Sequence, residues 1–167
     1  MSKETYIARV DDVRAHLKLA SALIITNRIL TGIGYIAYPL LLILLFLFER
    51  DLIARCIAVP AAGFIIVSAF RYLYNEPRPY ETYGFAPIID KDTSGKSFPS
   101  RHTFCMFMIA CSWAVYMPWA GAILALSGCA MAAIRVCCGV HYIRDVVAGA
   151  ACAVAFAIVG YCVIPIA

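Results

Sequence analysis

The chain has 167 residues, 63% hydrophobic and 14% charged, with a formal net charge of +4 and a mean hydropathy of +0.84. A soluble domain of this size is about half apolar, so the excess excludes a soluble enzyme and predicts a polytopic membrane protein folded as one domain. A basic groove for nucleic acid needs a soluble face that this composition hardly provides; anionic lipid headgroups are the natural partner for the positive balance.

Residues 3–28 read as an amphipathic helix. Ile7, Val10, Val13, Leu17 and Ile24 recur at helical spacing, with charges on the other side. Such a helix lies in the membrane interface or packs on the bundle. Residues 1–20 carry Glu4, Arg9, Asp11, Asp12, Arg14 and Lys18 without an apolar core, so no cleavable leader is read there. Leu30–Phe48 follows, 19 residues without a charge, enough to cross a hydrocarbon core of about 30 Å. Glu49-Arg50-Asp51 makes a tight polar connection to a second span, Leu52–Tyr74. A long polar loop from Asn75 to about Phe98 contains Pro77, Pro79 and Pro87 and the charges Glu76, Glu81, Asp90, Lys91, Asp92 and Lys96.

A third span begins near Ser100 and ends at Met117, with Pro118-Trp119 as the turn and Trp119 at an interface position. Ala120–Cys138 is the fourth, and Gly139 suits its C-terminus. The fifth runs from about His141 to Ile164. Gly128, Ala132, Ala133, Ala148 and Gly149 crowd the last two spans and let backbones approach closely. The eight cysteines lie in apolar runs without metal-ligand spacing and read as reduced, buried packing residues. The expected fold is therefore all-α: a polytopic membrane bundle of about five transmembrane helices plus an N-terminal amphipathic interfacial helix. It forms one domain over 1–167, with the amphipathic segment at 1–29 and the bundle at 30–164.

Five spans put the loop after the second and the turn after the fourth at the same membrane face. The costly polar residues sit at those two places, and intramembrane ionisable groups point to function. Arg71 and Arg78 flank the end of the second span. Guanidinium forks bind phosphate oxygens in a bidentate way; snorkelling to headgroups is the alternative. Pro99-Ser100-Arg101-His102 opens the third helix, where Ser100 suits the N-cap and the helix N-terminus favours an anion. An ordinary capped helix with an interfacial histidine is the competing reading. Arg135 precedes His141 and Asp145, which are four apart and share a helix face. A carboxylate accepting from one ring nitrogen leaves the other free to attack; a structural His–Asp pair is the alternative.

In this order the three clusters resemble the type-2 phosphatidic acid phosphatase superfamily, whose pattern is K-x6-R-P, then P-S-G-H, then S-R-x5-H-x3-D. The resemblance covers Arg71 to Asp145 and departs at three places. Arg71 stands for lysine, Arg101 for glycine and Ile134 for serine. It implies an integral membrane lipid phosphatase that hydrolyses a phosphate monoester or diphosphate through a phosphohistidine. His141 is the implied nucleophile, Asp145 its orienting partner and His102 the general acid. Arg71, Arg78, Ser100, Arg101 and Arg135 are the implied phosphate cradle. No metal or other cofactor is implied, since no carboxylate cluster could hold magnesium. The implied partners are a phosphorylated lipid and the bilayer.

A phosphotransferase using the same intermediate and a non-catalytic transporter or lipid-binding protein are the competing expectations. Tyr80, Tyr83, Phe85 and Ile88 either cover the substrate or merely connect helices. The resemblance favours an active site on the extracytoplasmic face of a plasma (inner) membrane. Lys3, Arg9, Arg14, Lys18 and Arg28 on the same side favour the cytoplasm by the positive-inside rule. The outer face is the expectation adopted.

Overall fold

The structure, a computed structural model, describes residues 3–90 and 94–163. Lys91, Asp92 and Ile164 lie outside the described residues. The helices are α1 (Lys3–Ala15), α2 (Leu17–Phe48), α3 (Ile53–Tyr74), α4 (Pro79–Tyr83), α5 (Arg101–Tyr116), α6 (Pro118–Cys137) and α7 (Ile143–Ala157), the last continued by a π-helical end over Ile158–Val163. No strand occurs among the described residues.

Among the described residues, four stretches are long and apolar enough to cross a membrane: Leu17–Phe48, Arg50–Tyr83, Pro118–Cys137 and Ile143–Cys162. The remaining expected span is α5. It has 16 residues, about 24 Å at 1.5 Å per residue, and sits at the centre of the bundle, touching α2, α3, α6 and α7. Four long helices thus surround one shorter one, where five spans were expected. Large apolar side chains such as Ile36, Phe46, Ile65, Leu73 and Leu126 stay exposed on the outer faces, as lipid-facing surfaces require.

Proline and small residues set how closely these helices lie. Pro60, inside α3, has no N–H for the carbonyl of Cys56 four residues back. The Tyr38 hydroxyl of α2 donates to that carbonyl instead, at 2.9 Å. The Trp113 indole of α5 likewise donates to Ala37 O of α2 at 2.9 Å. At Gly149 of α7 a Cβ would stand 2.6 Å from the carbonyl oxygen of Ser100. Only glycine lets α7 come this near the start of α5, which is where the site forms.

Three expectations are corrected. The N-terminal helix does not run from 3 to 28: it stops at Ala15, and His16 (φ −100°, ψ 82°) turns the chain into α2. The reason is tertiary. Tyr6, Val10 and Val13 are buried, and Tyr6 and Val10 pack with Val136, Val146 and Phe85, so α1 lies across the bundle end while residues 17–28 belong to the first span. The polar loop is not without structure, because Pro79 at the first helical position and Glu81 start the short α4. The cysteines are free, but not all are buried: Cys129 and Cys162 are exposed, on outer faces where lipid meets an apolar thiol at little cost.

Candidate active site

The site forms at one end of the bundle, from the loop after α3, the first turn of α5 and the α6–α7 connection. His141 lies in that connection, where Val140 N and His141 N donate to Arg135 O at 3.0 and 3.3 Å and so fold the chain back on the end of α6. Its imidazole is almost fully buried. Nδ1 lies 3.3 Å from Asp145 Oδ2, and Arg78 Nη1 lies 3.4 Å from Nε2. A guanidinium only donates and a carboxylate only accepts. The proton is therefore on Nδ1 and the lone pair on Nε2. Burial, opposed by the hydrogen bond to Asp145 and aided by Arg78 and Arg135, lowers the His141 pKa to about 4. The ring is neutral at pH 7.

Asp145, in the first turn of α7 and wholly buried, is held from several sides. Its Oδ2 accepts from Ser97 Oγ and from Tyr142 N at 3.1 Å. Its carbonyl accepts from Ser100 N at 2.8 Å, tying α7 to the start of α5. Arg144 Nε stands 3.7 Å from Oδ1.

The loop carrying Ser97 is pinned in turn. Glu81 accepts from Arg78 N at 2.7 Å and from Gly95 N at 2.9 Å. Arg78 Nε donates to Gly95 O at 3.0 Å. Gly95 has φ +61°, and a Cβ there would meet Asn75 Oδ1 at 2.4 Å, so the turn requires glycine.

Arg71 is buried and donates from Nη1 to Ser97 O at 3.1 Å and to Pro99 O. Part of its fork is thus committed to holding the loop. Arg135 is 2% exposed, and its Nε and Nη1 have no hydrogen-bond partner among the described residues. A buried cation without a partner is expensive, so this fork is suited to an anion. Ser100 occupies the N-cap position of α5 but makes no side-chain cap bond; its Oγ accepts from Thr103 Oγ1 at 3.1 Å.

The structure therefore gathers Arg71, Arg78, Ser100, Arg135, His141 and Asp145 at one end. His102 is half-buried on the first turn of α5 and, with Arg101, lines a hollow of about 440 Å³ between α2, α3 and α5. Arg101 is exposed, with its guanidinium carbon 5.6 Å from the centre of the Phe64 ring. It faces that hollow, whereas the other three arginines turn inward.

Sequence reasoning missed Ser97, Glu81 and Tyr6. Ser97 stands two residues before Pro99 in a polar loop, where nothing separates it from other loop serines. Tyr6 does carry a signal, being at i−4 and i−7 from Val10 and Val13 on one helix face. Its hydroxyl donates to Val136 O at 3.3 Å and to His141 O at 3.0 Å. Tyr83 and Phe85, left between cover and connector, surround Tyr6 with ring centroids 5.8 and 6.1 Å away.

A neutral imidazole, a buried carboxylate beside its Nδ1 and a guanidinium group beside its Nε2 form an arrangement that could attack a tetrahedral oxyanion. The chain is similar to the crystal structure of Aquifex aeolicus LpxE, with a TM-score of 0.66 and 24% identity over 86% of this chain and 93% of that one. It is also similar to the first transmembrane PAP2 type phosphatidylglycerolphosphate phosphatase from Bacillus subtilis, with a TM-score of 0.60 and 19% identity over 93% and 90% of the two chains. At these identities the likeness is one of fold. No match was found among the curated proteins. The family model of the PAP2 superfamily matches residues 52–166, well over half of the sequence and all of the site except the α1 contact. This chain belongs to the PAP2 superfamily.

Proposed function

We propose that this chain is an integral membrane phosphatase that releases phosphate from a lipid phosphomonoester or diphosphate through a phosphohistidine on His141. One observation carries the reading: Nδ1 of a buried, neutral His141 is engaged by Asp145 and Nε2 faces Arg78, while Nε and Nη1 of buried Arg135 have no partner among the described residues.

In the first step the Nε2 lone pair attacks phosphorus. An N–P bond forms, the bond from phosphorus to the leaving oxygen breaks, and His102 gives that oxygen its proton. The imidazole becomes cationic, and Asp145 stabilises it through Nδ1–H. In the second step water attacks phosphorus as His102 takes its proton. The N–P bond breaks and orthophosphate leaves, with both histidines restored. Arg71, Arg78, Ser100, Arg101 and Arg135 form the phosphate cradle in this reading, with the inward guanidinium groups on the equatorial oxygens. The donor set is cationic apart from one carboxylate, which suits an anion and not a divalent metal, so the reaction is read as metal-independent.

A lipid substrate is supported by the hollow between α2, α3 and α5, which leads from the first turn of α5 along the outer face of the bundle. The reading puts the site on the extracytoplasmic face of a plasma (inner) membrane. Impermeant thiol labelling of Lys96→Cys, with Cys129 and Cys162 replaced by serine, tests that side. The activity is tested by phosphate release from phospholipid and prenyl phosphates with EDTA present. Release by the unaltered protein and its loss in His141→Ala are expected. Release that survives His141→Ala overturns the mechanism.

A further inference from the structure

Arg144 is the second residue of α7, next to Asp145. A cation in the first turn of a helix opposes the positive end of its dipole, so this position needs compensation. Its Nη2 bonds Glu76 Oε1. Its guanidinium carbon lies 5.1 Å from the centre of the Tyr142 ring, and its Nε stands 3.7 Å from Asp145 Oδ1. These contacts order a side chain that is 58% exposed.

Glu76 lies between α3 and α4 and reaches Asp145 by two routes. Its carbonyl accepts from Ser97 N at 2.8 Å, and Ser97 Oγ donates to Asp145 Oδ2. Its carboxylate holds Arg144, which faces Asp145 Oδ1. The two oxygens of Asp145 are unequal. Oδ2 meets Ser97 Oγ, Tyr142 N and His141 Nδ1. Oδ1 is buried without a hydrogen-bond partner among the described residues. A separation of 3.7 Å is too long for a hydrogen bond, so what Oδ1 receives from Arg144 is the field of its charge.

We propose that Arg144 and Glu76 are positioning residues that set how strongly Asp145 holds the imidazole of His141. The inference rests on the phosphohistidine reading above and deepens it. A cation beside Oδ1 draws carboxylate charge away from Oδ2. The Nδ1 proton is then held less tightly by Asp145 and stays on the ring while the N–P bond breaks. In that step the bonding pair returns to Nε2, the water oxygen bonds phosphorus and His102 takes the water's proton. A leaving nitrogen in a cationic ring departs more readily. Without Arg144 the carboxylate pulls the Nδ1 proton toward itself, so attack by Nε2 is kept and dephosphorylation slows. Glu76 contributes by holding the guanidinium in place.

The test uses the full-length protein in detergent–lipid micelles with phosphatidate and a prenyl diphosphate, each labelled in the phosphoryl group that is released. Phosphate release gives kcat, and an alkaline quench, which preserves phosphohistidine, gives the fraction of enzyme trapped in the steady state. In Arg144→Gln kcat falls about 5-fold, the size of one partly exposed ion pair, while the trapped fraction rises. Glu76→Gln moves both in the same direction and less, and Arg144→Lys, which keeps the charge, restores part of the rate. The swap of Glu76→Arg with Arg144→Glu rebuilds the ion pair and puts an anion beside Oδ1, so the trapped fraction rises further. A swap that restores the unaltered kinetics makes the pair a mere tie between the loop and α7 and overturns the proposal. So does an Arg144→Gln variant in which kcat and the trapped fraction fall together, or in which neither changes. These results leave the phosphatase reading standing. No phosphoenzyme in any of the proteins overturns the phosphohistidine reading and this inference with it.

Discussion

The hydroxyl of Tyr6 donates to the carbonyl of His141, 135 positions later in the chain, at 3.0 Å. The same oxygen reaches Val136 O at 3.3 Å, so one side chain from α1 bridges the end of α6 and the loop that carries His141. Tyr6 is buried among Tyr83, Phe85 and Tyr142, which keeps water from replacing it. The family model begins at residue 52, so this support lies outside the matched region.

Tyr6→Phe keeps the ring and removes the hydroxyl. His141 O then loses the donor it shares with Val136 O, which keeps Gly139 N at 3.1 Å, at a cost of about 1–3 kcal/mol. The expected result is a fall in kcat of about 10-fold, with KM little changed because Tyr6 touches no substrate. Steady-state phosphate release checks it. A rise in KM at constant kcat would show that α1 acts on binding instead.

Ser97 donates to Asp145 Oδ2 and its Oγ lies 3.3 Å from His141 Nδ1. Ser97→Ala leaves the carboxylate with fewer donors and frees it to rotate from the ring. A loss of about 10-fold in kcat is expected, against about 10²–10⁴-fold for Asp145→Asn, which also loses the charge that stabilises the cationic imidazole. Single-turnover trapping of phosphoenzyme separates the two, and equal losses would place Ser97 and Asp145 in one indivisible unit.

The pH dependence follows from the His141 pKa, lowered by burial from the ordinary 6.5 to about 4. Above 6.5 the ring is neutral in folded and unfolded chains alike. As pH falls from 6.5 to about 4 the unfolded chain takes up a proton and the folded one does not, so stability drops across this window and levels off below it. The melting temperature of the unaltered protein should fall between these values more steeply than that of His141→Gln. Formation of the phosphohistidine should keep its neutral nucleophile well below pH 6.5. Parallel melting curves would contradict the lowered pKa.

Arg135 is buried with Nε and Nη1 unpartnered among the described residues. Without an anion this costs stability; with one it becomes a binding site. Arg135→Met should raise the melting temperature of the ligand-free protein by removing an uncompensated charge of about 1–3 kcal/mol. Orthovanadate or orthophosphate at 100 times its dissociation constant should stabilise the unaltered protein by about 2.7 kcal/mol and Arg135→Met far less. Equal shifts in both proteins would mean that the anion does not sit on this fork.

Much of this architecture was legible because lipid imposes simple rules. A bilayer demands long uncharged runs, so the later spans could be read from composition, whereas the start of the first, at Leu17 and not Leu30, could not; the order of turns then put Arg78 and His141 at one face. The spacing of His141 and Asp145 is a property of one helix turn and needed no fold. The break at His16 was not legible: the 3–28 periodicity is continuous, and the chain bends only because Tyr6 and Val10 find a surface on α6 and α7. Ser97 was hidden for a related reason, since its partner Asp145 lies 48 residues away and no local pattern encodes that meeting. Nor could the one-letter string tell Arg101 from its neighbours. All the arginines have the same chemistry on paper, and only the packing of α5 against α2 and α3 leaves the Arg101 guanidinium at the hollow while Arg71, Arg78 and Arg135 are buried. Local and solvent-driven choices belong to the sequence; which distant groups share a pocket, and which way each charge points, was decided by tertiary packing.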